Sequence, residues 1–528
     1  MPSRYAFLAL AVILAVSAIL MSPFWPHAIL PAVIFSGLSL IGLVDLGQSE
    51  HAIRRNYPLI GRVRWLAELV RPEIRQYLIE SDEEEAPFSR NQRSLVYQRA
   101  KNIPAERAFG AEIDAYRSGY AFLSHSAAPH PAAPISTFRV LVGSDQCAAP
   151  YSTSLLNISA MSFGSLSANA IRALNRGARM GDFYHDTGEG AISPYHREGG
   201  GDIVWEVASG YFGCRTAEGR FDPARFADHA GEAQVKMIEI KLSQGAKPGH
   251  GGVLPAAKVT PEIAATRGVP LGQDCISPAR HSAFSTPLEL MDFIAELRRL
   301  SGGKPVGFKL CIGQPEQFMG MVKAMLRTGV RPDFIVIDGS EGGTGAAPAE
   351  FADHVGWPMR EGLIFANNVL VGAGLRAQIR LAAAGKVVSA FDMANLLALG
   401  ADWTNAARGF MFALGCVQSL ACNTNACPTG VATQDPLRQK ALVVSNKAER
   451  VFHFHHNTLK ALSELVAAAG LDHPSQLTAQ HLMRRTQDGA LRTFADLHWR
   501  ARPGELIHGE ASDAFYREAW RIASADGF

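Results

Sequence analysis

Three cysteines have the types and spacing for metal chemistry: Cys416, Cys422 and Cys427, with five residues between the first pair, four between the second, and Pro428 directly after. Cysteine thiolates are the usual ligands to iron in iron-sulfur clusters, and three so close together suit one. A structural zinc site wants a fourth ligand, and no histidine lies inside the motif. The bland alternative is three core cysteines that are neighbours by chance. The remaining cysteines, Cys147, Cys214, Cys275 and Cys311, are isolated and read as small buried hydrophobes. An odd total of seven over a long chain fits reduced thiols better than a disulfide framework, and so a reducing compartment.

The elements that must position such a motif are legible in outline. From about residue 135 to 470, β-type runs at Leu155 to Ile158, Met237 to Leu242, Val306 to Leu310, Phe334 to Asp338 and Val387 to Val388 alternate with helical patterns. That alternation predicts a parallel α/β architecture, without separating a barrel from a doubly wound sheet. Glycine-dense stretches follow several of these runs, among them Gly249-His250-Gly251-Gly252 and Gly342-Gly343-Thr344-Gly345. In a β/α barrel such loops build the active face and often a phosphate site, because their N–H groups can face an anion. A lone glycine pair is more often a plain turn.

The order of the motifs narrows this. Ser159-Ala160-Met161-Ser162-Phe163-Gly164-Ser165, Thr187-Gly188-Glu189-Gly190, Gln244-Gly245-Ala246-Lys247-Pro248-Gly249, Gly342 to Pro348, and the run from Cys427 to Gln434 follow one another along the chain, and together they resemble the glutamate synthase family. The resemblance covers residues 150 to 435 and implies an FMN-binding β/α (TIM) barrel with a 3Fe-4S cluster on Cys416, Cys422 and Cys427. It implies that Met161, Ser162 and Gln244 line the flavin ring. Gly342, Gly343, Thr344, Gly345, Gly385, Lys386 and Arg408 would surround the phosphate. Lys309, at the end of an apolar strand, would set a cation near the N1/O2 edge of the ring, where it favours the reduced anion; a lysine snorkelling to the rim is the plainer reading.

For catalysis the resemblance puts Lys247 and Arg267 where 2-oxoglutarate is held, a role that suits cations and above all arginine's paired hydrogen bonds. Glu189 would orient the substrate or ammonia and handle protons. The implied reaction joins ammonia to 2-oxoglutarate and reduces 2-iminoglutarate to glutamate. Electrons would come from ferredoxin or an NAD(P)H-oxidising subunit through the cluster. Lys258, Lys304 and Arg298 read as surface charges outside the catalytic set, and His453, His455 and His456 as residues of a packed or solvated helix.

The first 50 residues differ in kind. From Tyr5 to Val44 the chain is free of charge apart from His27, and Pro23, Trp25 and Pro26 divide it into two apolar halves. Each is about the minimum for a membrane-crossing helix, and a second apolar half argues against a cleaved signal peptide. The expected form is a two-helix transmembrane hairpin turning between Ser22 and His27. Arg54, Arg55, Arg62, Arg64, Arg71 and Arg75 follow it, so the positive-inside rule places both ends, and a catalytic body, on the cytoplasmic side of the membrane. Residues 51 to 135 read as a connector with a solvated acidic run at Asp82, Glu83, Glu84 and Glu85, residues 136 to 470 as the barrel, and 471 to 528 as a helical tail. A net charge of +2 with no basic face argues against a nucleic-acid partner.

Three features depart from the family pattern. Full-length members begin with a glutamine-cleaving cysteine, whereas this sequence opens on the apolar segment, so ammonia would arrive free, from a partner, or be replaced by another amine. His250 and Val253 stand where Glu and Gln are common, and Asn423 where a histidine follows the middle cysteine. An N-methylglutamate synthase type of amine transfer would share every motif. A membrane-bound flavin and iron-sulfur redox relay is the reading from another class, and it would have no need of Lys247, Arg267 and Glu189.

Overall fold

The computed structural model describes residues 3–83, 87–106 and 108–528. Glu84 and Glu85 of the acidic run lie outside them. The chain divides into two units, Met1–Ser89 and Arg90–Phe528.

In the larger unit eight parallel strands close into a barrel: β1 (Leu156–Ile158), β2 (His185–Asp186), β3 (Ile203–Val207), β4 (Val235–Lys241), β5 (Val306–Leu310), β6 (Phe334–Asp338), β7 (Arg380–Ala384) and β8 (Trp403–Ala406). Each pairs with the next, and β8 returns to β1 through Thr404 and Leu156. The sheet is therefore a barrel and not doubly wound. The strand expected at Val387 to Val388 is instead β7, three to seven residues earlier, and those valines lie in the loop after it. β7 escapes a propensity reading because three of its five residues are alanine, a poor strand former. β2 and β8 are short and carry His, Asp, Thr and Asn.

Local signals set the helices that alternate with these strands. Ser167 caps the helix Ala168–Gly181, and reciprocal capping boxes start Pro287–Leu300 at Thr286 and Glu289 and Ala390–Leu399 at Ser389 and Asp392, satisfying N–H groups that have no partner within the helix. The long helix Val444–Ala468 crosses Ala168–Gly181 closely: a Cβ at Gly177 would stand 2.5 Å from Val451. His455 on that helix is buried, stacked on Phe183 and bonded to Ser154 at 2.9 Å, a packing role.

The segment read as a connector is split. Residues 90 to 135 belong to the barrel unit, where Arg90–Ala100 packs on Val444–Ala468 and Ala121–Leu123 pairs antiparallel with Leu482–Arg485. The tail is accordingly mixed and not all helical: Leu482–Arg485 also pairs with Leu491–Thr493, and the helix Ala514–Ile522 comes later.

In the smaller unit the helices Ala6–Met21 and Ile29–Gly47 pack together. Leu8, Ala11, Ala15 and Ala18 form the buried face of the first, and its three alanines are small residues that allow close helix approach. Asp45 is fully buried and accepts bonds from Arg54 Nε (3.0 Å), Arg62 Nε (2.9 Å) and Nη2 (2.8 Å), and the Leu59 N–H (3.2 Å). Among the described residues one helical stretch, Pro26–Gly47 with 22 residues, is long and apolar enough to cross a membrane. Ala6–Met21 has 16, short of the roughly 20 that a span needs. The pair of helices is present, but only its second member has spanning length.

Candidate active site

The residues singled out in the sequence follow six of the eight strands, with Lys309 on a seventh, and nearly all lie at the C-terminal face of the barrel, where the loops of such folds carry chemistry. Behind β1, Met161 and Ser162 enter a tight loop closed by the Leu166 N–H on the Ser162 carbonyl (3.0 Å). The next loop touches it: Gly188 has φ +62°, and a Cβ there would lie 2.7 Å from the Ser162 nitrogen. That contact and the left-handed backbone both call for glycine.

Glu189 follows. Its carboxylate accepts from the Lys241 ammonium at 3.0 Å and from the Ser277 hydroxyl at 3.2 Å. Burial raises its pKa, but Lys241, Arg267 and Lys247 outweigh burial and hold it down to about 2. Lys241 ends β4, and Ser277 closes a long excursion from β4. The sequence reading missed both, although a lysine terminating an apolar run was a usable signal for the first. A small cavity of about 20 Å³ opens here, lined by Glu189, Lys241, Gln244, His250 and Ser277.

The same excursion brings Arg267 inside the protein, 3% exposed. Its guanidinium does not stand open to solvent: Nη2 donates to the Phe163 carbonyl (2.9 Å) and Ser162 Oγ (3.3 Å), and Nη1 to Cys275 Sγ (3.6 Å). Nε is buried without a hydrogen-bond partner. Lys247 donates to the Ala346 carbonyl at 2.7 Å, with its pKa lowered by burial. Gln244 meets Thr344 at 3.5 Å, so the β4 and β6 loops touch through predicted residues. Val253 is exposed, and His250 rests on Phe351.

At the ends of β6 to β8 the chain closes on Arg408. Its Nη2 donates to the Glu341 carbonyl at 2.6 Å, and a Cβ on Gly343 would meet Nε at 2.8 Å. A Cβ on Gly385 would lie 3.2 Å from Met359 and 3.6 Å from Glu341, and Lys386 beside it has φ +48°. Burial lowers the Arg408 pKa to about 10 against the opposing charges of Asp338 and Glu341. A buried guanidinium among glycine-bearing turns from three consecutive strand ends is a donor set that fits a phosphate.

Lys309 lies inside the barrel and not at its rim. Its ammonium pairs with Glu206 and, at 3.0 Å, with Glu239. Burial works against its charge, but Glu206, Glu239 and Asp186 hold its pKa well above the ordinary value. The three carboxyls are the one group among the described residues close enough to share an ion, and the ammonium sits among them as their cation. A snorkelling lysine is thereby ruled out.

Helix Arg408–Leu414 leads into the cysteine loop, where Gln418, Leu420 and Asn425 all adopt positive φ, a conformation uncommon outside glycine. Cys416, Cys422 and Cys427 are unpaired thiols. Burial pushes Cys416 up to about 12 and raises Cys422. Burial also raises Cys427, but the Thr429 hydroxyl and the N–H groups of Ala432, Thr429 and Val431 win and lower it. Hydroxyl and amide donors gathered round a sulfur in a three-cysteine loop fit an iron-sulfur cluster. Lys258 is no surface charge: it is 2% exposed and donates to the carbonyls of Ser165 (2.9 Å), Cys422 (3.2 Å) and Ala432 (3.3 Å).

A closed parallel barrel with a charged cleft, a phosphate-fitting turn set and a three-cysteine loop on one face defines a β/α-barrel enzyme. Residues 138–472 match the conserved region in glutamate synthase. The chain belongs to the glutamate synthase family and is an oxidoreductase of that type. It is 38% identical over 508 residues to the glutamate synthase large subunit-like protein YerD of Bacillus subtilis (strain 168), covering 89% of this chain and 96% of that one. The archaeal-type glutamate synthase (NADPH) of Thermotoga neapolitana is 36% identical over 314 residues, 59% of each chain. The archaeal glutamate synthase (NADPH) of Methanocaldococcus jannaschii is 36% identical over 324 residues, 60% of this chain and 59% of that one. The chain thus spans about 59% of the length of these NADPH-named relatives.

Proposed function

We propose that the protein forms L-glutamate by reductive amination of 2-oxoglutarate through 2-iminoglutarate, with FMN on the β6 to β8 turns and a 3Fe-4S cluster on Cys416, Cys422 and Cys427. One observation carries the reading: Lys241, Lys247 and Arg267 are grouped around the single carboxylate of Glu189. Three cations against one anion leave two positive charges, which a dicarboxylate substrate balances. A pure electron carrier has no use for that surplus.

When bound, FMN supplies the hydride for the imine carbon, and the cluster supplies single electrons to restore it. The chain's own residues do the rest. Lys241 and Lys247 neutralise the substrate carboxylates, while Arg267 holds the Ser162 and Phe163 loop against which the flavin ring would lie. Glu189, ionised in the free protein, accepts hydrogen bonds from incoming ammonia. Once substrate carboxylates share the lysines, Glu189 is less strongly held ionised and is better able to take a proton from the added amine and return it to the carbinolamine hydroxyl, which leaves as water. Gln244 borders the same opening, and Thr344 meets Gln244.

The NADPH in the relatives' names supports a pyridine-nucleotide-oxidising partner as electron source, with ferredoxin the other candidate. In this reading Pro26–Gly47 inserts in the cytoplasmic membrane, and the arginines after it keep the barrel on the cytoplasmic side.

The test is an anaerobic single turnover. Detergent-solubilised protein is reduced with dithionite and mixed with 2-oxoglutarate and ammonium while flavin absorbance and glutamate are followed. Flavin reoxidation with an equal amount of glutamate is expected. A loaded flavin that stays reduced without glutamate overturns the reading, and replacing ammonium by methylamine then examines amine transfer of the N-methylglutamate type.

A further inference from the structure

We propose that Lys258 is a positioning residue that ties the β1 loop to the cysteine loop and, through its buried charge, raises the reduction potential of the cluster. The inference rests on the reading of Cys416, Cys422 and Cys427 as cluster ligands.

The geometry is that of a staple. The stretch from Val253 to Arg267 leaves the β4 excursion and delivers two buried cations onto one loop. Arg267, at its end, grips Ser162 and Phe163, while Lys258, midway, grips Ser165. Lys258 then reaches further, because its other two hydrogen bonds go to the carbonyls of Cys422 and Ala432. All three of its donors are used, and each goes to a main-chain oxygen, so Lys258 fixes loop positions regardless of neighbouring side chains. Two other ties run alongside: Ser167 Oγ donates to the Gly430 carbonyl at 2.7 Å, and Gln434 Nε2 to the carbonyls of Gly164 (3.0 Å) and Leu166 (2.9 Å). These would hold the loops together without any charge. A cation adds something they cannot.

Burying an ammonium costs free energy unless an anion is near, and carbonyl dipoles only partly offset that cost. Among the described residues no carboxylate bonds to Lys258, and the groups that act on it as anions when ionised are the sulfurs of Cys422 and Cys427. A cluster gains one negative charge on reduction, so a fixed cation beside two of its ligands stabilises the reduced form more than the oxidised form. That favours electron acceptance by the cluster, and the staple keeps the cluster's loop against the loop that would border the flavin.

The experiment compares full-length wild type with Lys258→Met and Lys258→Arg, purified anaerobically, by iron and sulfide content and by EPR-monitored redox titration. In Lys258→Met the oxidised-to-reduced ratio at a fixed potential should rise at least tenfold, a fall of about 59 mV for a one-electron couple. Lys258→Arg should keep both iron and potential. A loaded Lys258→Met with an unmoved potential overturns the inference. If Lys258→Met does not retain iron, the arginine variant decides: loaded at the wild-type potential it supports the charge role, and equally depleted it reduces Lys258 to packing and overturns the inference. Wild type without iron and sulfide overturns the cluster reading itself, a result distinct from the others.

Discussion

The Lys241 ammonium lies 3.0 Å from the Glu189 carboxylate, joining the last residue of β4 to the loop after β2. Both side chains are largely buried, at 10% and 18% exposed, so this pair is screened little by solvent. Burial opposes ionisation of Glu189, yet Lys241, Arg267 and Lys247 bring its pKa from 4.5 down to about 2. A carboxyl lowered on folding contributes stability above its unfolded value and loses it as pH falls through the folded one. Wild type should therefore lose stability between about pH 4.5 and 2 through this group, and Glu189→Gln should show a shallower acid slope in urea unfolding. Parallel pH curves would contradict the ion pair. Turnover of Glu189→Gln should fall by about 10²–10⁴, the usual share of a positioned acid or base.

Arg408 offers a separate handle on the cofactor. Truncating a buried, hydrogen-bonded charge partner typically costs about 2–5 kcal/mol, so Arg408→Ala should weaken FMN binding by more than tenfold. Fluorescence titration of flavin-free protein with FMN would measure it. Gly343→Ala should do the same by displacement, because its Cβ would press on Arg408 Nε at 2.8 Å. Riboflavin, which lacks the phosphate, should bind wild type and Arg408→Ala equally; a difference there would move Arg408 away from the phosphate.

Gly245 shows why QGAK carries a glycine. A Cβ there would lie 1.8 Å from the Gly339 carbonyl oxygen, while its N–H donates to Asp338 at 2.8 Å. Backbone against backbone cannot yield as a side chain can. Gly245→Ala should part the β4 and β6 loops, raise the KM for 2-oxoglutarate through Lys247, and cost about 1–3 kcal/mol by overpacking. Thermal unfolding together with substrate titration would show both effects; an unchanged KM would detach this contact from the site.

Much of the site was legible because its residues are marked by motif. Glycines at strand ends, the triple cysteine and the lysine of QGAK announce themselves by type and spacing, and Val306–Leu310 and Phe334–Asp338 by unbroken apolar runs. What escaped had no local signature. β7 is hidden by alanines, and His185–Asp186 is too short for any period to register. Lys258 looked like surface because nothing in its neighbourhood of the sequence says that three carbonyls from residues 165, 422 and 432 will enclose it. For Lys309 a strand pattern marks the end of an apolar run, but not that Glu206 and Glu239 on neighbouring strands will pair with it inside the barrel. Both lysines are set by tertiary contacts between distant segments, which a linear pattern does not contain.

Lys309 supports the last prediction. The barrel interior here is ionic, with Glu206 and Glu239 in register on neighbouring strands and Asp186 nearby. One ammonium serves all three carboxyls. Burial raises Glu239 to about 7, and it raises Asp186 well above its ordinary range. Replacing Lys309 by Met removes the cation and leaves the carboxyls, and breaking such a buried pair costs about 3–5 kcal/mol. The sign with pH follows. A carboxyl raised on folding loses stability as pH climbs from its unfolded to its folded value, and without Lys309 the folded values rise further. Lys309→Met should therefore be closest to wild type near pH 5 and fall increasingly behind toward pH 8; wild type also loses stability over this range through Glu239 and Asp186, but less of it, because Lys309 opposes the rise of both carboxyls. Adding Glu206→Gln to Lys309→Met should recover part of the loss by removing one orphaned charge. Chemical denaturation of the two variants across that range measures both effects, and a pH-independent deficit would mean that Lys309 acts by filling space.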